Sequence, residues 1–242
     1  MKKVILIALV LATFSISCSS DDTSGSGSVL LTKTIRTFSD GTVETTNFTY
    51  NGSKLVEQTF DSGKAKVTYV GNLIAKIEYF YQEELVQKNL YQYDSSQRLV
   101  SFERYEYSQD GDYTTESDYV YNSNGTVSFI IRSGYVDFPL SEKTGTFTLN
   151  SFGEIISSTD SNNYNVSYTY DDKKSPFFNV LGVNKILFED DNANEMIHNI
   201  TQETDAFSTK TSVFTYNDAG YPLTEIYTDE DEVITTQYFY NT

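Results

Sequence analysis

Tyr91-Gln92-Tyr93-Asp94-Ser95-Ser96-Gln97-Arg98-Leu99-Val100-Ser101-Phe102 is the stretch on which the fold class turns. Tyr91 and Tyr93 stand two residues apart, so an extended strand projects both rings from one face. Asp94 to Gln97 is polar and turn-forming, and Leu99 to Phe102 has the apolar and aromatic character of a return strand. The stretch reads as a β-hairpin.

Variants of it recur along the chain. Phe48-Thr49-Tyr50-Asn51-Gly52 runs on to Leu55, and Val67-Thr68-Tyr69-Val70-Gly71-Asn72 to Leu73 and Ile74. Tyr119-Val120-Tyr121-Asn122-Ser123-Asn124-Gly125, Phe147-Thr148-Leu149-Asn150-Ser151-Phe152-Gly153 and Tyr168-Thr169-Tyr170-Asp171-Asp172 follow, and Phe214-Thr215-Tyr216-Asn217-Asp218-Ala219-Gly220 comes last. In each, an Asn, Asp or Gly soon after the aromatic pair supplies the left-handed backbone that hairpin turns need. A hairpin alone is marginal in water, so the copies are expected to stack edge to edge.

The pattern resembles the Tyr-Asp (YD) hairpin repeat of Rhs-type and teneurin-type proteins, and more closely the YD-like lipoproteins of the Bacteroidota. The resemblance covers most of residues 48–240. Tyr93-Asp94 and Tyr170-Asp171 match the signature pair, whereas Tyr50, Tyr121 and Tyr216 precede Asn and Tyr69 precedes Val70. Leu149 replaces the second Tyr of its copy, and the usual Gly-Arg-Leu occurs only as Gln97-Arg98-Leu99. The resemblance implies a repeat scaffold and no particular reaction.

The N-terminus carries a different signal. Met1-Lys2-Lys3 and the apolar run Val4 to Phe14 have the form of a secretory signal peptide over residues 1–17, and the run is too short to span a bilayer as a mature helix. It ends at Ser15-Ile16-Ser17-Cys18, which resembles a bacterial lipobox, with Ser15 where Leu is favoured. Cys18, the single cysteine, is the expected lipidation site and first mature residue. Ser19-Ser20-Asp21-Asp22 resembles the acidic export tag of surface lipoproteins, and Thr23 to Ser28 is a flexible tether of small residues. Residues 18–28 are thus anchor and tether, and 29–242 one domain.

That domain is expected to be all-β: an antiparallel meander of repeated hairpins forming a long twisted sheet, curled toward a half-barrel. Twenty Tyr and sixteen Phe against three Pro favour strands. One insertion, about 175–200, breaks the rhythm. Ser175-Pro176-Phe177-Phe178-Asn179-Val180-Leu181-Gly182 places a capping residue before proline and glycine at the end, the order of a short helix. Phe177, Phe178 and Leu181 would then cover an open end or face of the sheet.

Catalytic chemistry finds little support. His198, the single histidine, sits beside Ile197 and Ile200 and reads as a strand residue; no Gly-x-Ser-x-Gly presents a nucleophile. Asp190, Asn192 and Asn194 follow EF-hand spacing, but Glu195 replaces the glycine and Thr201 the bidentate acid, so no metal site and no cofactor are assigned. The 34 acidic residues against 17 basic, net −17, exclude a nucleic-acid partner. The Tyr rings suit structural ladders better than a sugar-binding platform, there being no Trp.

Two expectations remain. One is a non-catalytic binding or scaffold module, held to the outer membrane by lipid and facing the cell surface (or the periplasm), with a glycan or protein ligand. The other is a carboxylate-dependent glycan hydrolase, which would need two inward-facing acids about 5–10 Å apart.

Overall fold

The computed structural model describes residues 28–241. The expected signal peptide, Cys18 and all of the tether before Ser28 lie outside them. In chain order the strands are β1 (Leu31–Thr37), β2 (Val43–Asn51), β3 (Lys54–Phe60), β4 (Gly63–Val70), β5 (Leu73–Tyr81), β6 (Glu84–Tyr93), β7 (Leu99–Glu106), β8 (Tyr113–Tyr121) and β9 (Thr126–Tyr135). They continue as β10 (Ser141–Leu149), β11 (Ile155–Asp160), β12 (Asn165–Tyr170), β13 (Phe188–Glu189), β14 (Asn192–Ala193), β15 (Ile200–Thr204), β16 (Thr209–Tyr216), β17 (Pro222–Thr228) and β18 (Val233–Tyr240).

All but β13 and β14 join one antiparallel meander, as expected, and the meander closes into a sixteen-stranded barrel. The half-barrel expectation is corrected here. β1 pairs with β18 from Leu31↔Tyr240 to Thr37↔Thr235, so neither end of the sheet keeps an open edge.

The repeat builds the inner wall in layers. The first aromatic-motif positions, among them Phe48, Tyr91, Tyr119, Phe147 and Tyr168, point inward, and the second positions, Tyr50, Tyr69, Tyr93, Tyr121 and Tyr170, form the next layer. At most of these second positions the register slips by one residue, as at Tyr50↔Leu55, Tyr69↔Ile74 and Tyr93↔Leu99. The recurrent bulge twists each hairpin and turns the first apolar residue of the return strand inward. Leu55, Ile74 and Leu99 are accordingly buried.

The turn explains why Asn and Asp interchange. Asp94 Oδ1 accepts the N–H groups of Ser96 (2.8 Å) and Arg98 (3.0 Å). Asn150 accepts from Phe152 and Glu154, and Asn217 from Ala219 and Tyr221, in the same way. Either side chain offers the oxygen this turn uses. Three residues on, the backbone is left-handed: Gly125, Gly153 and Gly220 stand there, and Gln97 at φ 60° in the opening copy.

Residues 175–182 form turns instead of the expected helix. Leu181 N–H, which a helix would pair internally, donates to Ser53 O (2.8 Å), and Ser175 N–H ties the start of the segment to Ile197 O (2.9 Å). The one helical element among the described residues is the 3-10 turn Val183–Lys185. His198 lies in a bend and not in a strand.

Candidate functional site in the barrel lumen

A sixteen-stranded wall encloses more space than its own side chains fill. The chain solves this with the segment from Asp171 to Asn199, which connects β12 to β15 by passing through the lumen as a plug. Phe177 packs edge-on against Phe48 at 5.5 Å, and Phe188 lies 4.9 Å from Tyr119 and 5.1 Å from Phe147. Val180, Val183, Ile186 and Phe188 belong to the same buried cluster as Phe102 and Phe129 of the wall. Gly182, at φ +85°, approaches β5 so closely that a Cβ there would meet Asn72 O at 2.7 Å. Phe178 stays exposed, under the Lys174 ammonium.

Polar posts fix the plug's orientation. Tyr91 donates its hydroxyl to Glu189 (2.5 Å), Arg104 pairs with Asp190 (2.9 Å) and Lys143 with Asp191 (2.5 Å). Burial raises the pKa of both Glu189 and Asp190; Arg104 opposes the shift at Asp190. Burial above all, then the nearby Glu189 carboxylate, holds the Tyr91 hydroxyl well above its ordinary range. At one rim Glu154, fully buried, accepts from the His198 backbone N–H and contacts His198 Nδ1, both at 2.9 Å, while Asn150 donates to it at 2.8 Å. Asn199 donates to both oxygens of Asp171, to which Tyr216 also donates its hydroxyl.

The packing is incomplete on one side. Between the plug and the wall from β15 through β18 round to β2 lie two cavities of about 330 and 340 Å³, both bordered by Glu195 and Glu225. Glu195 Oε1 accepts from Ile200 N–H (2.5 Å). Burial first, and then the charge of Glu225, pushes its pKa up to about 8. Glu225 accepts hydroxyl bonds from Ser212 (2.7 Å) and Tyr238 (2.6 Å). The charge of Glu225 adds to burial in raising the Tyr238 hydroxyl above its ordinary value.

These carboxylates are the functional candidates that sequence reasoning passed over. Glu195 entered only as a defect in a calcium loop, and Glu225 was not singled out among the 34 acids. The loop at Asp190 is in fact the β13–β14 hairpin: Asp190 turns to Arg104, Asn194 donates to Ile186 O (2.9 Å), and Asn192 is exposed. They do not converge on a common point. The one sequence signal for Glu225 was its position near Tyr227 and opposite Phe214 in register.

The outer surface has the opposite character. Lys76, Leu90, Glu103, Glu116, Arg132 and Glu142 are cross-strand neighbours in succession from β5 to β10, a belt charged at all but Leu90 across six of the sixteen strands. Arg132 bridges Asp118 (3.0 Å) and Glu142 (3.2 Å) there, and Lys76 pairs with Glu78 (2.8 Å). From β10 round to β18 the outward positions are mainly Thr and Ser, such as Thr144, Thr146, Thr148, Thr209 and Thr211. A membrane barrel carries a continuous apolar band outside; on this wall charged and hydroxyl side chains interrupt exposed apolar ones such as Val213, Ile226 and Phe239.

The barrel has counterparts among solved structures. A porin-like protein from Bacteroides vulgatus ATCC 8482 superposes with a TM-score of 0.57 at 12% identity, covering 88% of this chain and 99% of that one. A porin-like protein from Bacteroides uniformis ATCC 8492 gives 0.42 at 12% identity, over 87% and 98%. No family model and no curated protein matches the chain. At this identity the first likeness is one of fold. It overturns the YD-repeat resemblance: the recurring hairpin is the unit of a closed sixteen-stranded barrel and not an Rhs-type repeat. No described helix is long and apolar enough to cross a membrane, which bears on helices alone.

Proposed function

We propose that this is a non-catalytic, outer-membrane-associated protein whose plugged barrel stands in water and binds a ligand in its lumen, the lipid on Cys18 holding it to the membrane. The observation that carries this reading is the charged belt from Lys76 to Glu142. Each basic residue facing lipid near mid-bilayer costs about 2–4 kcal/mol, less near the interfaces, and the acids of the belt add to that cost. The porin-like fold and the lipobox-like Ser15 to Cys18 both support an envelope location; exposure at the cell surface rests on Ser19 to Asp22. A small molecule, a glycan or an exposed peptide end suits an enclosed lumen better than a nucleic acid suits a chain of net charge −17.

Fractionation tests the reading. The wild-type chain is expected in outer membranes even after an alkaline carbonate wash, and the Cys18→Ala chain in the soluble fraction. A Cys18→Ala chain that resists the wash would mean the barrel itself is inserted, and the proposal fails.

The Glu195–Glu225 pair favours a second reading, a carboxylate-dependent glycan hydrolase, since both acids border the same cavities and burial, with the charge of Glu225, raises the Glu195 pKa. Turnover of a polysaccharide that Glu225→Gln abolishes would establish it in place of the first.

A further inference from the structure

We propose that the cavities on either side of Glu195 and Glu225 form one site for a small molecule bearing a primary ammonium on an apolar chain. The inference deepens the reading of the lumen as a ligand-binding chamber and depends on it.

Neither carboxylate has a counter-ion among the described residues. The hydrogen bonds to Glu225 come from the neutral hydroxyls of Ser212 and Tyr238. Glu195 accepts a backbone N–H through Oε1, its one hydrogen bond among the described residues, and it borders both cavities. The cations nearest the site are engaged elsewhere: Lys210 pairs with Glu203 at 2.7 Å, and Arg36 with Glu44 at 3.6 Å. A barrel interior is a poor place to leave an acid without a counter-charge. Elsewhere in this lumen Arg104 and Lys143 answer Asp190 and Asp191 from the wall. Here the wall supplies hydroxyls and a cavity.

The shape of the site matches a cation with a tail. One cavity presents polar groups, among them Gln202, Ser212 and Tyr227. The other runs over Leu31, Phe48, Phe177 and Met196, an apolar floor shared between wall and plug. At about 330 and 340 Å³ each is of small-molecule size. An ammonium seated between the two carboxyls supplies the missing charge and donates to Glu195, while its alkyl chain displaces water from the apolar floor. Because Phe177 and Met196 belong to the plug, the bound molecule would also pin the plug to β1 and β18.

Isothermal titration of the chain from Cys18 to Thr242 with n-hexylammonium, n-hexanol and hexanoate tests the proposal. Hexylammonium is expected to bind with one-to-one stoichiometry, at least tenfold more tightly than hexanol, and hexanoate to give no saturable heat. Glu225→Gln is expected to weaken hexylammonium at least tenfold. Should that variant fail to fold, Met196→Phe, which fills the apolar side, is expected to weaken hexylammonium while sparing methylammonium. A flat titration of the wild type, hexanol equal to hexylammonium, or affinities unchanged in the folded variants would overturn the site. That failure leaves the carbonate fractionation of Cys18→Ala untouched, so the broader reading is judged separately.

Discussion

Asn241 closes the barrel on Leu30: its side-chain oxygen accepts the Leu30 N–H at 2.7 Å and its own N–H donates to Leu30 O at 3.1 Å. Asn217 makes the same two bonds with Tyr221 across a three-residue loop, at 3.0 and 2.9 Å. Asp171 makes them with Asn199, at 3.3 and 3.1 Å, but there the loop is the whole plug. One turn geometry thus occurs as a tight loop, as a long insertion and as a seam between the chain ends. Tyr238-Phe239-Tyr240-Asn241 is a further copy of the repeat, unrecognised in the sequence because its return strand is β1.

The seam makes the chain permutable. Linking Asn241 to Leu30 through Asp-Ala-Gly, the loop of the Asn217 turn, and opening new ends at the exposed Asp110–Gly111 turn should preserve a cooperatively folded barrel. Circular dichroism and urea unfolding of this permutant check it. Loss of cooperativity would mean the Asn241–Leu30 contact is incidental.

Tyr91→Phe tests the plug's attachment. The ring keeps its contact with Phe102 at 5.5 Å, but Glu189 loses its hydroxyl donor inside the barrel. A destabilisation of about 1–3 kcal/mol is expected in equilibrium unfolding. Glu154→Ala should cost about 2–4 kcal/mol, since it strands the Asn150 amide and the His198 N–H in a fully buried position.

Glu195 should make stability depend on pH. Its pKa rises from 4.5 to about 8 on folding, so the folded chain holds a proton that the unfolded chain releases. Its contribution is therefore greatest below about pH 4.5, declines as pH rises toward 8, and is level above that. The wild type should lose roughly 1–4 kcal/mol more than Glu195→Gln between pH 5 and pH 8. Urea unfolding of both chains at the two pH values decides; equal losses would show that Glu195 does not titrate in this window.

Gln97 occupies the left-handed position that glycine fills at Gly125, Gly153 and Gly220. A residue with a Cβ is strained there by about 1–2 kcal/mol, and glycine's extra unfolded-state entropy offsets about half of that. Gln97→Gly is expected to stabilise the barrel by about 0.5–1 kcal/mol in thermal or urea unfolding.

The hairpin was legible in sequence because it is local chemistry. In Tyr91-Gln92-Tyr93-Asp94, side-chain alternation sets the inward face and the Asp oxygen sets the turn within five residues, and nothing distant is required. The helix expected at Ser175 failed for the converse reason: Ser53 O, remote in the chain, claimed the Leu181 N–H that local rules assign to a helix.

By itself, then, the sequence determined an all-β antiparallel meander, its turns and the inward aromatic layers. Tertiary structure alone decided that the sheet closes, that the insertion passes inside, and that Glu195 and Glu225 border the same cavities. Strand pairing in a hairpin is a contact between near neighbours. Closure depends on Leu31 meeting Tyr240, and the lumen site on a plug residue lining one cavity with β17; chain separation of that kind leaves no local pattern, because the energy that selects it is burial of the barrel's edges and interior.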